Sequence, residues 1–283
     1  MRILLLAPDT MLGPVLELCL RNFGYNDVIN ISNNPKDKLF YDPEHNVYEI
    51  KNIINKTQPD IVINCLATLI SESEQNHPKA VLVNSFLPHY LNSLSKEHHF
   101  KLIHRSTDCV FEGTLGDYTE TSPLDATNFY GRTKALGEIN NNYSLTLRVS
   151  LIGPDTNPNG ESLFSWFMRQ PEKVQGYSKV YWTGITTVEF AKIVDLSIKN
   201  QLVGLYNISN GEKITKSDLL RLFAEYYKPT TTIIDNPSKH SDKSLAKNPN
   251  FNFAIPSYDK MISNMYEWTN SYIKLYPFLQ ERN

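Results

Sequence analysis

Ile-Leu-Leu-Leu-Ala at positions 3–7, Pro-Asp-Thr-Met-Leu-Gly at 8–13 and Asp-Val-Ile-Asn-Ile-Ser at 27–32 decide how the chain begins. The first run is apolar throughout, as in a parallel strand buried on both faces. Leu12, Val15, Leu16, Leu18 and Leu20 supply the apolar side of a following helix, and the last run reads as a second strand. Strand, loop, helix and strand within about 30 residues form a mononucleotide-binding unit, the building block of a doubly wound parallel α/β sheet.

Outward from that unit the alternation continues. A polar, turn-rich connection at 40–49 leads to a helix at 48–56, a strand at 60–64, a long helix at 80–94 after His77-Pro78, and strands at 101–104 and 145–152. Beyond Gly153-Pro154 the order becomes irregular, with a helical, aromatic stretch at 161–168, a short strand at 174–176 and a loop at 182–187. A helix at 188–199 and a strand at 204–209 follow, and Thr215-Lys216-Ser217-Asp218 caps a helix at 219–227. The polar stretch 236–250 reads as an exposed loop, and 258–272 as an amphipathic helix.

Composition excludes several classes. The chain has 283 residues, enough for one large domain with a smaller lobe. Its 28 basic and 30 acidic residues give no electrostatic reason for a nucleic-acid partner or an anionic membrane. Cys19, Cys65 and Cys109 lack metal-ligand spacing, so a reduced protein with no metal site is expected. No apolar run approaches the roughly 20 residues that cross a bilayer. Met1-Arg2 leads straight into a strand and not into a signal peptide, which predicts a cytoplasmic location.

The chemistry gathers in Arg-Ser-Thr-Asp-Cys-Val-Phe-Glu-Gly at 105–113 and Asn-Phe-Tyr-Gly-Arg-Thr-Lys-Ala-Leu-Gly-Glu at 128–138. Tyr130 and Lys134 are four apart at the start of a helical pattern, so they share a face and the ammonium can sit under the phenol. A nearby cation is expected to lower the phenol from its usual pKa of about 10, making it a proton donor to a carbonyl near neutral pH. Thr107, at the end of the strand, would hold the carbonyl oxygen.

These segments resemble the Ser/Thr and Tyr-x-x-x-Lys motifs of the extended short-chain dehydrogenase/reductase family. With Tyr-Thr-Glu-Thr-Ser-Pro at 118–123 between them, they are similar to its dTDP-4-dehydrorhamnose reductase branch. The resemblance implies a Rossmann-like domain over 1–153, to which 188–210 returns, and a substrate lobe over 154–187 and 211–283. It implies NADPH or NADH as cofactor, a nucleotide-activated 6-deoxy sugar reduced at its 4-keto group as substrate, and Thr107, Tyr130 and Lys134 as catalytic residues. The cofactor would run along Pro8, Asp9, Thr10, Met11, Leu12 and Gly13, past Ser32 and Asn33, along Cys65, Leu66 and Ala67, and beside Asn84 to Tyr130 and Lys134. Asn84 reads as a hydrogen-bonder supporting the fold rather than as a catalyst. The substrate would meet Thr107, Asp108, Cys109 and Val149, while Trp166, Arg169, Tyr177 and Trp182 stack on a uracil or thymine ring or grip a diphosphate.

Two departures from the family pattern matter. Of its three phosphate-turn glycines only Gly13 remains, so cofactor binding is expected to be weak without the sugar nucleotide. After the second strand Ser32, Asn33 and Asn34 replace the acidic residue that holds the ribose, which leaves NAD against NADP open. Cys109 stands where the related 4,6-dehydratases have a glutamate, so dehydration is disfavoured. In the epimerase-reductases that make GDP-fucose a cysteine here works with a lobe histidine. The only later histidine is His240, in the expected polar loop, so Cys109 reads as a packed small residue. A non-catalytic regulatory subunit of the same fold is the rival reading, and a homodimer is left open.

Overall fold

A computed structural model describes residues 1–7, 11–32, 36, 39–157 and 159–280. In chain order the strands are β1 (Arg2–Leu6), β2 (Asp27–Asn30), β3 (Ile61–Asn64), β4 (Lys101–Ser106), β5 (Leu145–Arg148) and β6 (Leu151–Ile152). They continue as β7 (Lys173–Trp182), β8 (Ile185–Thr186), β9 (Gly204–Asn207), β10 (Ile214–Thr215) and β11 (Thr232–Asp242). A six-stranded parallel sheet in the order β2-β1-β3-β4-β5-β9 forms the centre, the Rossmann-like arrangement expected.

β1 is apolar throughout because both its faces are covered. Ile3 and Leu5 enter one core with Val15, Leu16 and Leu20 of the Gly13–Asn22 helix and Ile193 and Val194 of the Thr187–Lys199 helix. Leu4 and Leu6 enter the other with Ile50, Ile53 and Ile54 of Glu49–Thr57 and Leu87, Leu91 and Leu94 of Leu87–His98. Each such buried side chain contributes about 1.5–3 kcal/mol. The strand order reverses between β1 and β3, and the connections that follow them lie on opposite faces. That opens a crevice at the C-terminal ends of these two strands, where ligands bind in sheets of this type.

Several elements differ from expectation. The long helix runs from His77 to His98 and contains a π-helical segment, Val81–Phe86, that carries the buried Asn84. The strand expected at 145–152 is divided: β5 ends at Arg148, and β6 leaves the sheet to pair with β8, inside the stretch expected to be a loop. β7 is a ten-residue strand, far longer than 174–176. β11 lies alongside it in parallel where an exposed loop at 236–250 was expected, with a bulge between Asn236 and His240. Most β11 side chains are exposed, so its pairing rests on the backbone ladder and no apolar alternation marks it in the sequence. β10 completes this second sheet in the order β10-β7-β11.

Phe164, Phe167, Phe223, Met261 and Met265, from the C-terminal half, join the same apolar cluster as Ile3 and Leu5. Among the described residues no helix is long and apolar enough to cross a membrane.

Candidate active site

Tyr130 and Lys134 lie on the Phe129–Leu136 helix, which starts where the Asn128 side chain accepts a hydrogen bond from the Gly131 amide at 2.8 Å. Both ends of this helix are placed by glycines in direct backbone contact. Gly131 packs on the Cys109 carbonyl, and a Cβ on Gly137 would lie 1.9 Å from the Asn84 carbonyl oxygen. Asn84 fixes the neighbouring loop: its amide nitrogen donates to the Thr68 carbonyl and to Thr133 Oγ1, both at 3.1 Å, and its oxygen accepts from the Thr68 amide at 2.9 Å. These are the bonds of a positioning residue.

Thr107 follows β4 and caps the short turn Asp108–Val110, its Oγ1 accepting from the Cys109 amide at 3.1 Å and donating to Asp108 Oδ1 at 3.2 Å. Thr107 and Tyr130 are each 5% exposed, so the hydroxyl and the phenol meet in a nearly closed space. Burial pushes the phenol pKa up to about 12, against the pull of Arg105 and the Thr107 hydroxyl. The movement is opposite to the expected one, and the cause is desolvation of the phenolate. Lys134 is fully buried and its Nζ donates to the Arg105 carbonyl at 2.9 Å. Burial, with Arg105 adding to it, brings its pKa down to about 7, so near neutrality it is only partly charged.

Behind these residues Glu138 accepts two bonds from Arg148, at 2.8 and 2.6 Å, and one from Ser106 Oγ at 2.7 Å. Arg148 also donates to Asn207 Oδ1 at 3.0 Å. The pair ties the ends of β4, β5 and β9 to the end of the Phe129–Leu136 helix, and loss of one partner of so buried a pair costs about 3–5 kcal/mol.

The crevice residues divide by position. Leu12 and Gly13 are buried at the start of their helix, and Met11 is half-buried above Gly153. Cys65 is buried, Leu66 packs on the second core and Ala67 is half-buried. Ser32 pairs with Phe40 in an isolated bridge. Pro8, Asp9, Thr10 and Asn33 lie outside the described residues. Among the described residues the Gly13–Asn22 helix has no side-chain cap, and its first turn holds no acid, a start that suits an anion. Buried Arg105 Nε, Thr68 Oγ1 and Thr187 Oγ1 have no hydrogen-bond partner among the described residues. Those features suit a dinucleotide with its diphosphate at the helix start.

The family model described as the RmlD substrate binding domain matches residues 1–251. The chain belongs to that family. A dTDP-4-keto-6-deoxy-D-glucose reductase of Streptomyces niveus is 34% identical over 91 residues, 31% of this chain and 32% of that protein. Methionine adenosyltransferase 2 subunit beta of Xenopus tropicalis is 28% identical over 200 residues, 63% of this chain and 58% of that protein. The chain thus spans about a third to a little over half the length of these curated relatives. The solved structure of dTDP-4-dehydrorhamnose reductase from Bacillus anthracis str. Ames in complex with NADP shares the fold, with a TM-score of 0.81 at 18% identity over 95% of this chain and 99% of that one.

In this RmlD-family chain the expected substrate residues separate into two groups. Trp166 and Tyr177, 36% and 42% exposed, line a cavity of about 550 Å³ together with Lys173, Lys216 and Lys239. Trp182 instead turns inward at 2% exposure, donating from Nε1 to Ser150 Oγ at 2.8 Å and packing on Tyr258, so its ring is not free to stack on a base. Val149 is core at 1% exposure, because its side chain points into the apolar cluster below the crevice. Arg169 donates to the Gly160 carbonyl at 3.0 Å. Cys109 is half-buried beside Asp108, and its thiol is pushed up to about 12 by burial and then by the Asp108 charge. His240 is exposed on β11 opposite Lys179.

Lys216 was not expected to matter. It is the first residue of the Lys216–Tyr227 helix, lies with Nζ 5.1 Å from the Trp182 ring centre, and lines the cavity while its charge reaches Asp108 and Cys109. Burial lowers its pKa to about 8. A lysine at a helix start carries no sequence signal for this role. Only the fold brings it to the turn that holds Asp108 and Cys109.

Proposed function

We propose that this chain reduces the 4-keto group of a dTDP- or UDP-activated 6-deoxyhexose with NADPH or NADH, a step of cell-surface polysaccharide synthesis in the cytoplasm. The observation that carries this reading is the placing of Tyr130 beside Thr107 at the C-terminal edge of the parallel sheet, with Lys134 one helical turn on and bonded to the Arg105 carbonyl, near the crevice between β1 and β3. The sheet with its 188–210 return would hold the dinucleotide, and the lobe of 154–187 and 211–283 the sugar nucleotide.

A reduced nicotinamide, when bound, supplies the hydride. Tyr130 gives its proton to the carbonyl oxygen as that oxygen gains charge, and the buried Thr107 hydroxyl orients the oxygen toward the phenol. Lys134 and Ser106 with Glu138 hold the end of β4, so the three reacting groups keep one geometry. In the lobe, Trp166 and Tyr177 offer flat faces for a base, and the lysines around the 550 Å³ cavity offer charge for a diphosphate.

The second reading, a non-catalytic regulatory subunit, draws on the likeness to methionine adenosyltransferase 2 subunit beta. The full chain with NADPH and a 4-keto-6-deoxy nucleotide sugar decides between them: oxidation of the cofactor supports the reductase. No oxidation with any keto sugar, and recovery of a partner enzyme with the chain, supports the subunit.

A further inference from the structure

One charged side chain in the crevice has no place in the triad. Arg105 is the penultimate residue of β4, next to Ser106 and in register with Leu147 of β5. Its Nη2 reaches the Cys65 carbonyl, beyond the end of the adjacent β3, at 3.5 Å, and its buried Nε has no partner among the described residues. The backbone carbonyl of the same residue receives the Lys134 ammonium at 2.9 Å. Arg105 therefore fixes Lys134 through its main chain, while its side chain crosses to the end of β3 at Cys65, a group that Lys134 also faces.

The charges around the pair come from every side. Lys134 faces Arg105 and His104 of β4, Glu138 beyond its own helix, and Cys65 beyond β3. Tyr130 faces Arg105, Thr107, Asp108 and Cys109. Of the cations among these, guanidinium alone keeps its proton at any working pH. Lys134 titrates near neutrality, and the buried His104 stays neutral, well below its ordinary range.

We propose that Arg105 is the fixed cation of this centre, setting the charge that Lys134 carries and stabilising the phenolate that forms on Tyr130. The inference rests on the reductase reading for its second half. There the Tyr130 O–H bond breaks, its proton joins the carbonyl oxygen, and the carbonyl carbon gains hydride from the reduced dinucleotide, which leaves oxidised. The phenolate then remains opposite Arg105 until water returns a proton. Arg105 acts through Tyr130 and Lys134 and is a positioning residue.

The test uses the full chain with lysines labelled with ¹³C at Cε, the Lys134 signal assigned by its loss in Lys134→Met. Titration in the ligand-free wild type should show a midpoint near 7, moving up by about one pH unit or more in Arg105→Gln and by less in Arg105→Lys, whose ammonium burial leaves only partly charged. Arg105→Met serves if the glutamine variant does not fold. In parallel, kcat for keto-sugar reduction should fall about 10- to 100-fold in Arg105→Gln and recover in part in Arg105→Lys, more so as the pH is lowered. An unmoved Lys134 midpoint overturns the proposal whatever the assay gives. A moved midpoint with wild-type kcat overturns the phenolate assignment. Absence of keto-sugar reduction by the wild type counts against the reductase reading alone, and the Lys134 titration still decides on Arg105.

Discussion

A Cβ on Gly131 would stand 2.1 Å from the carbonyl oxygen of Cys109. The helix that carries Tyr130 and the Thr107 turn are thus in backbone contact, which is how the phenol of the preceding residue, Tyr130, reaches the threonine hydroxyl. Gly131→Ala must push the two apart, with an expected loss of about 1–3 kcal/mol in urea unfolding and about 100-fold in turnover. A wild-type midpoint and rate in that variant would contradict the contact.

Tyr130→Phe keeps the ring and removes the proton donor. Turnover should drop by about 10²–10⁴-fold, with dinucleotide affinity nearly unchanged, because the donated proton matters in the transition state and not in the bound complex. Single-turnover rates and calorimetry measure the two separately. Equal turnover would remove Tyr130 from the mechanism.

Lys134 makes stability depend on pH in a definite direction. Its pKa is about 7 in the fold and about 10.4 in the unfolded chain. Between those values the unfolded state holds more protons, so this residue's contribution rises with pH, and its full destabilising effect is present below 7. Lys134→Met should therefore be most favourable relative to wild type at pH 7 and should lose that advantage, on the order of a few kcal/mol, toward pH 10. Urea unfolding of both proteins at pH 7 and 9.5 measures the gap. A gap that does not change with pH would show that Lys134 is not buried as a titrating amine.

Reduction should occur without epimerisation. The Cys109 thiol, pushed up to about 12, is a poor base at neutral pH, and His240 sits exposed on β11. A 4-keto-6-deoxy nucleotide sugar turned over in heavy water should gain no deuterium at carbons 3 or 5. Deuterium there that vanishes in Cys109→Ser would mean the thiol removes a ring proton.

Lys216→Met and Trp166→Ala should each weaken binding of dTDP or UDP by about 10-fold while leaving NADPH binding as it is. Calorimetry with the nucleotide diphosphate alone avoids any dependence on turnover. Unchanged affinity in both variants would move the nucleotide out of the lobe cavity.

Much of this arrangement was legible in the residues. The apolar runs of β1, β3 and β4 and the spacing of Tyr130 and Lys134 follow from local periodicity, so the sheet and the catalytic helix could be placed from sequence. β11 could not, because its exposed polar side chains look like a loop and its order comes from the β7 backbone. The phenol's upward shift was equally hidden: spacing shows which cation shares a face with Tyr130 but not how little water reaches it. Trp182 looked like a stacking ring, yet the Ser150 hydroxyl and Tyr258 that hold it inward come from elsewhere in the chain.

The apolar cluster that runs unbroken from Ile3 and Leu5 to Met261 and Met265 makes this protein a single cooperative unit. The second core, around Leu4 and Leu6, belongs to the N-terminal half, but the aromatic and methionine packing of the lobe is continuous with the first core and has no interior of its own to melt. A calorimetric scan should show one peak, and a fragment ending at residue 153 should stay a swollen, dye-binding globule, its sheet deprived of half its cover. Evolution of the lobe toward a new sugar is then constrained from below, since each change in its apolar packing is also felt by the strands that carry the chemistry.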